Sequence, residues 1–176
     1  MSEIDVKKLF VLDESGFSLN MIKAYGRCKK SKRLKMPAPL HGKNISAIGV
    51  INFSRVVDIA LIEGSTNQSC IEIFIEKSIV PHLKRGDILL IDNAPVHNLE
   101  RINEKLLKPI GALILPLPRY SPEFSPIEML WSKIKEYIRK LKPRTTTELL
   151  KGFSDAIWEV DEEDLSGWYE HCGYNI

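Results

Sequence analysis

Ile88, Leu89, Leu90 and Ile91 are apolar without interruption, and the run stops at Asp92. Four residues are too few for a helix. A strand that lacks polar alternation is buried on both faces, typically in a parallel region of a sheet with helices on either side. Leu9 to Leu12 is a second short apolar run that also ends in aspartate, Asp13, with Glu14, Ser15 and Gly16 reading as the turn beyond it. Ile45 to Phe53 and Val56 to Ile62 are rich in β-branched residues and connect through a hairpin at Asn52 to Arg55, and Ala112 to Leu115 is a further buried strand. The helices alternate with these strands. Ser65 to Asn67 offer caps for a stripe of Ile71, Phe74, Ile75 and Ile79, ended by Pro81 and Gly86. Leu99, Ile102 and Leu106 mark a short amphipathic helix. Ile127, Leu130, Trp131, Ile134, Ile138 and Leu141 mark the clearest one, which Pro143 stops. Thr145 to Thr147 cap a last helix through Trp158, followed by an acidic tail. The expected class is α/β, a mixed five-stranded sheet flanked by helices.

The length, 176 residues, suits one compact domain able to bury a core without disulfides or a structural metal. No stretch approaches the roughly 18 apolar residues of a membrane span, and the start MSEIDVKKLF lacks the apolar centre of a signal peptide, so the expected location is the cytoplasm. Cys28, Cys70 and Cys172 have neither zinc-ligand nor disulfide spacing and read as free thiols. The net charge of +2 conceals an asymmetry. Between Ser15 and Val57 stand nine basic residues and no acid, Lys29, Lys30, Lys32, Arg33 and Lys35 among them. From Gly152 onward there are seven acids and no Lys or Arg. A basic run is often a solvated face, but one this one-sided suits phosphate backbone.

Asp13 and Asp92 each follow a buried strand, where open α/β sheets place their ligand sites. Glu128 lies in the first turn of the clearest helix, with 35 residues between it and Asp92. Converged, the three would form an all-oxygen site of the hardness that Mg²⁺ or Mn²⁺ prefers, and two such ions would support phosphodiester cleavage and transfer without a side-chain nucleophile. Each acid also has a structural reading. Ser125-Pro126-Ile127-Glu128 matches a capping box, and both aspartates could serve as turn residues. Asn93 could orient Asp92, His97 could donate to a phosphate, and Arg119 and Tyr120, in a loop with four prolines, could contact DNA. Trp131 reads as core.

Three stretches together resemble a known family: Leu12-Asp13-Glu14-Ser15-Gly16-Phe17, Ile91-Asp92-Asn93-Ala94-Pro95-Val96-His97, and Leu117-Pro118-Arg119-Tyr120-Ser121-Pro122-Glu123-Phe124-Ser125-Pro126-Ile127-Glu128-Met129-Leu130-Trp131. The chain is similar in them to the DDE transposases of bacterial insertion sequences related to the mariner elements. The resemblance implies an RNase H-like fold, with residues 1–145 as the catalytic domain and 146–176 as a helical, acidic extension of it. It places Asp13, Asp92 and Glu128 in the positions of the family's metal-binding triad, holding two Mg²⁺ or Mn²⁺ ions. The implied activity is cutting at transposon ends and strand transfer into target DNA, by a homodimer associated with the nucleoid. Members of that family usually carry helix-turn-helix modules ahead of the catalytic domain. Here Met1 stands 12 residues before Asp13, so the expected partner is a separately encoded or frameshift-fused helix-turn-helix part. The alternatives are a non-catalytic, DNA-binding or regulatory remnant and another RNase H-like nuclease.

Overall fold

The computed structural model describes residues 5–19, 21, 44–93, 97–118 and 121–175. Its centre is a five-stranded sheet built from β1 (Leu9–Phe17), β2 (Ile45–Asn52), β3 (Val56–Glu63), β4 (Ile88–Ile91) and β5 (Leu113–Pro116) in the order β3-β2-β1-β4-β5. β1, β2 and β3 form an antiparallel meander, whereas β4 and β5 run parallel to β1. This is the mixed sheet of an RNase H-like fold.

Strand periodicity divides the interior in two. Leu9 and Val11 of β1 and Leu90 of β4 face α3 (Ile127–Leu141), α4 (Thr146–Trp158) and α5 (Glu162–His171), meeting Leu130, Trp131, Ile134, Ile138, Phe153 and Tyr169. Phe10, Leu12, Leu89 and Ile91 point the other way, to Ile71 and Phe74 of α1 (Gln68–Phe74) and Ile102 of α2 (Leu99–Ile102). Both of these short helices continue through a wider π-helical turn, at Ile75–Ile79 and Asn103–Leu107, that keeps Ile75, Ile79 and Leu107 in the core. Asn67 and Thr145 cap α1 and α4 as expected. Asn52 turns the β2–β3 connection by accepting from the N–H groups of Ser54 and Arg55.

Three expectations change. β1 does not end at Asp13 but runs to Phe17, because pairing with β2 continues from Asp13 opposite Gly49 to Phe17 opposite Ile45; sheet pairing overrides the turn propensity of Ser15-Gly16. β5 is an edge strand rather than a buried one, with Leu113 58% exposed. The capping box at Ser125 is not made: α3 begins after Pro126 without a side-chain cap, and the Glu128 N–H takes the Ser125 carbonyl. The acidic stretch after Trp158 holds α5. Asp161 and Asp164 close a capping box on α5, whose Leu165 and Tyr169 lie in the core, and the Tyr169 hydroxyl donates to the Leu9 carbonyl at 3.3 Å. Glu162, Glu163 and Asp164 suit the positive end of a helix.

Candidate active site

Asp13 sits where β1 parts from β4. Parallel pairing of the two strands covers Leu9 to Val11, while β2 stays paired with β1 well beyond Asp13. The side chain shares the strand face of Val11 and Phe17, so it points toward α3. Val11 pairs with Leu90, and Asp92 follows Leu90 by two residues as Asp13 follows Val11, with the charge of Asp92 acting on Asp13. Glu128 and Trp131 stand three residues apart on α3, hence on one face of the helix. The Trp131 indole N–H donates to Asp13 Oδ2 at 2.9 Å.

Glu128 and Asp92 both act electrostatically on Asp13. Burial, foremost, raises the Asp13 pKa to about 7; the negative charges of Glu128 and Asp92 raise it further, against hydrogen bonds from the Glu14 backbone and Trp131 that lower it. Glu128 and Asp92 thus each lie within electrostatic reach of Asp13. They are not in ligand contact: among the described residues, no three carboxylate, imidazole or thiol groups stand close enough to enclose an ion as placed. Like charges repel, and a cation between the carboxylates would favour their closer approach. The oxygen-only donor set suits a hard divalent cation.

His97 closes the far side. Its Nε2 lies 3.0 Å from Asp92 Oδ1 and 3.3 Å from Glu14 Oε2, with the imidazole only 4% exposed. The bond to Asp92 first, then that to Glu14, raises its pKa to about 9, so the ring is cationic at neutral pH. Its Nε2 is committed to these two carboxylates. In the metal-free protein this bridge supports folding fully below pH 6.5, and the contribution is lost as the pH rises through about 9. His97→Ala is expected to cost about 1–2 kcal/mol at pH 6, the partners being partly exposed, and much less at pH 10. Urea melts at the two pH values check this; an equal cost at both would mean that only packing was lost.

The family described as DDE superfamily endonuclease matches residues 8–150. The chain belongs to the DDE superfamily endonucleases. None of the curated proteins matches it by sequence. Among solved structures, the catalytic domain of Mos1 mariner transposase superposes with a TM-score of 0.70 at 17% identity, covering 96% of this chain and 78% of that one. The Mos1 strand transfer complex gives 0.74 at 17% identity, with 95% and 52% covered. The Mos1 paired end complex with Mn also gives 0.74 at 17% identity, with 97% and 55% covered. This chain therefore spans about half the length of the Mos1 chains in those complexes. At such identities the likeness establishes the fold.

Two residues of this DDE endonuclease domain escape a reading of the sequence. Trp131 reads as core, which its 1% exposure bears out, but its N–H also reaches Asp13. Glu14 reads as part of a motif, and its carboxylate holds His97. Gly49, a glycine inside a strand, is the available signal for the first, since such glycines mark close approach. A Cβ there would stand 2.6 Å from the Trp131 ring. Asn93 is exposed beside Asp92. Lys29, Lys30, Lys32, Arg33, Lys35, Arg119 and Tyr120 lie outside the described residues, as does Cys28, whereas Cys70 and Cys172 are free thiols. No helix among the described residues is long and apolar enough to cross a membrane.

Proposed function

We propose that this domain is the catalytic part of a DNA transposase, in which Asp13, Asp92 and Glu128 hold two Mg²⁺ or Mn²⁺ ions for cutting at transposon ends and joining to target DNA. The observation that carries the reading is the half-buried Asp13 carboxyl, whose pKa is raised by the charges of two further acids. A cluster of that kind costs stability unless a cation resolves it. Family membership supports the endonuclease chemistry. Solved Mos1 complexes contain Mn, Mg or a left transposon end, which supports the same metals and DNA as this chain's ligands.

When bound, the ions would polarise the attacking water or 3′-hydroxyl and stabilise the leaving oxygen. The chain's own residues do the rest. Asp13 on β1, Asp92 after β4 and Glu128 on α3 would offer the carboxylates, with His97 bound to Asp92 and the Trp131 N–H to Asp13. The acid-free basic segment, with Lys29, Lys30, Lys32, Arg33 and Lys35, and Arg119 before Glu128 supply positive charge for DNA backbone. A second copy and a helix-turn-helix part complete the proposed assembly.

Glu128→Gln tests the reading. Glu128 makes no capping bond at α3, so the variant is expected to fold as the wild type and to lose Mg²⁺-dependent nicking of end-containing DNA. Retained nicking would remove Glu128 from the site. Covalent joining of a labelled donor end to a target plasmid separates a transposase from a nuclease that only hydrolyses. Salt-sensitive DNA binding without cleavage under either metal would instead identify a non-catalytic remnant.

A further inference from the structure

We infer that Trp131 is a positioning residue for Asp13, and that Gly49 exists to admit it. The inference rests on the metal-site reading above and goes beyond it to a side chain that would touch neither metal nor DNA. Trp131 is fully buried, and its ring lies edge-on to Phe17 at 6.1 Å between centroids. Packing on both sides leaves the indole little freedom to turn. Its single donor, Nε1–H, is spent on Asp13 Oδ2, where many buried tryptophans would use a backbone carbonyl. An ionised carboxylate accepts about four hydrogen bonds. Those from Trp131 and the Glu14 backbone leave acceptor capacity for an ion while fixing the direction in which it is offered.

Gly49 makes this geometry possible. It is the direct partner of Asp13 across the β1–β2 pair. An alanine methyl there would come within 2.6 Å of the indole Cη2 and 3.0 Å of Cζ2, far inside van der Waals contact, so the ring would have to move away from Asp13. Two residues on different elements thus set one hydrogen bond, and each can be changed without touching an acid.

The test measures metal binding directly, by calorimetric titration of Mn²⁺ into wild type, Trp131→Phe, Gly49→Ala and, as a packing control, Ile134→Val, with Mg²⁺-dependent nicking recorded in parallel. Trp131→Phe keeps an aromatic ring but removes the donor; Gly49→Ala keeps the donor but displaces it. Both are expected to weaken Mn²⁺ binding about 10-fold or more, the usual effect of removing a group that orients a metal ligand, and to raise the Mg²⁺ concentration for half-maximal nicking in step. Ile134→Val lowers the melting temperature without moving either quantity. Unchanged Mn²⁺ affinity in a folded Trp131→Phe or Gly49→Ala protein would overturn the positioning role, as would an equal loss in Ile134→Val. A wild-type chain that binds no Mn²⁺ would overturn the metal-site reading itself.

Discussion

Asp13→Asn is expected to abolish metal-dependent nicking and, at the same time, to make the metal-free protein more stable. Asparagine keeps the carbonyl oxygen that accepts from Trp131 but carries no charge into a place already facing Glu128 and Asp92. The Asp13 pKa stands at about 7 against 3.8 for an ordinary aspartate. A carboxyl shifted in that direction leaves the chain at full stability below pH 3.8 and withdraws it as the pH climbs to 7. The gain from Asp13→Asn is therefore absent at pH 3.5 and complete at pH 8. There it amounts to about 2–4 kcal/mol, or a melting temperature higher by about 5–10 °C in a chain of this size. Thermal melts without metal at the two pH values measure it. A variant less stable than wild type at pH 8 would mean that the three acids do not share one region of negative charge.

Ending the chain after Val160 is expected to prevent folding. The last helix looks dispensable from its surface acids, but it puts Leu165 and Tyr169 into the core at 1% and 0% exposure, with Tyr174 close behind at 8%. Burial of three such side chains is worth about 5–8 kcal/mol, comparable to the whole stability of an ordinary domain. The same segment ties itself to the site's own scaffold. Tyr169 bonds to the Leu9 carbonyl at the start of β1, and Lys133, one turn beyond Glu128, pairs with Asp164. Loss of the native circular dichroism spectrum in the shortened chain is the expected result. A shortened protein that melts like the full one would show that the segment contributes nothing to the core.

The parts of this molecule that were legible in the sequence share one property: each is set by local pattern. The uniform run Ile88–Ile91, the β-branched hairpin around Asn52 and the α3 stripe each declare their own periodicity, and the observed strands and helix follow them. What was not legible depends on partners far away in sequence. β1 runs past Asp13 because β2, more than 30 residues later, goes on pairing with it. Ala112 to Leu115 looks buried but becomes an edge because no strand pairs beyond it among the described residues. At the proposed site, the acids stood out in the sequence by their positions after apolar runs and at a helix start. The groups that orient them did not. Trp131 is indistinguishable from any core tryptophan until the fold brings Asp13, 118 positions away, to its N–H, and Glu14 acquires a role only when His97 reaches it. In α5 the acidic residues cap the helix and line its outer face, and only every third or fourth residue reports the core.

The central claim is that Asp13, Asp92 and Glu128 close on shared divalent ions. Crystals of the full chain grown with Mn²⁺, with anomalous scattering recorded at the manganese edge, test it most directly. The account predicts anomalous density at the carboxyl end of β4, bounded by carboxylate oxygens of all three residues, with the Trp131 N–H still on Asp13. Manganese bound elsewhere, or at this point with any one of the three acids turned away from it, would contradict the account.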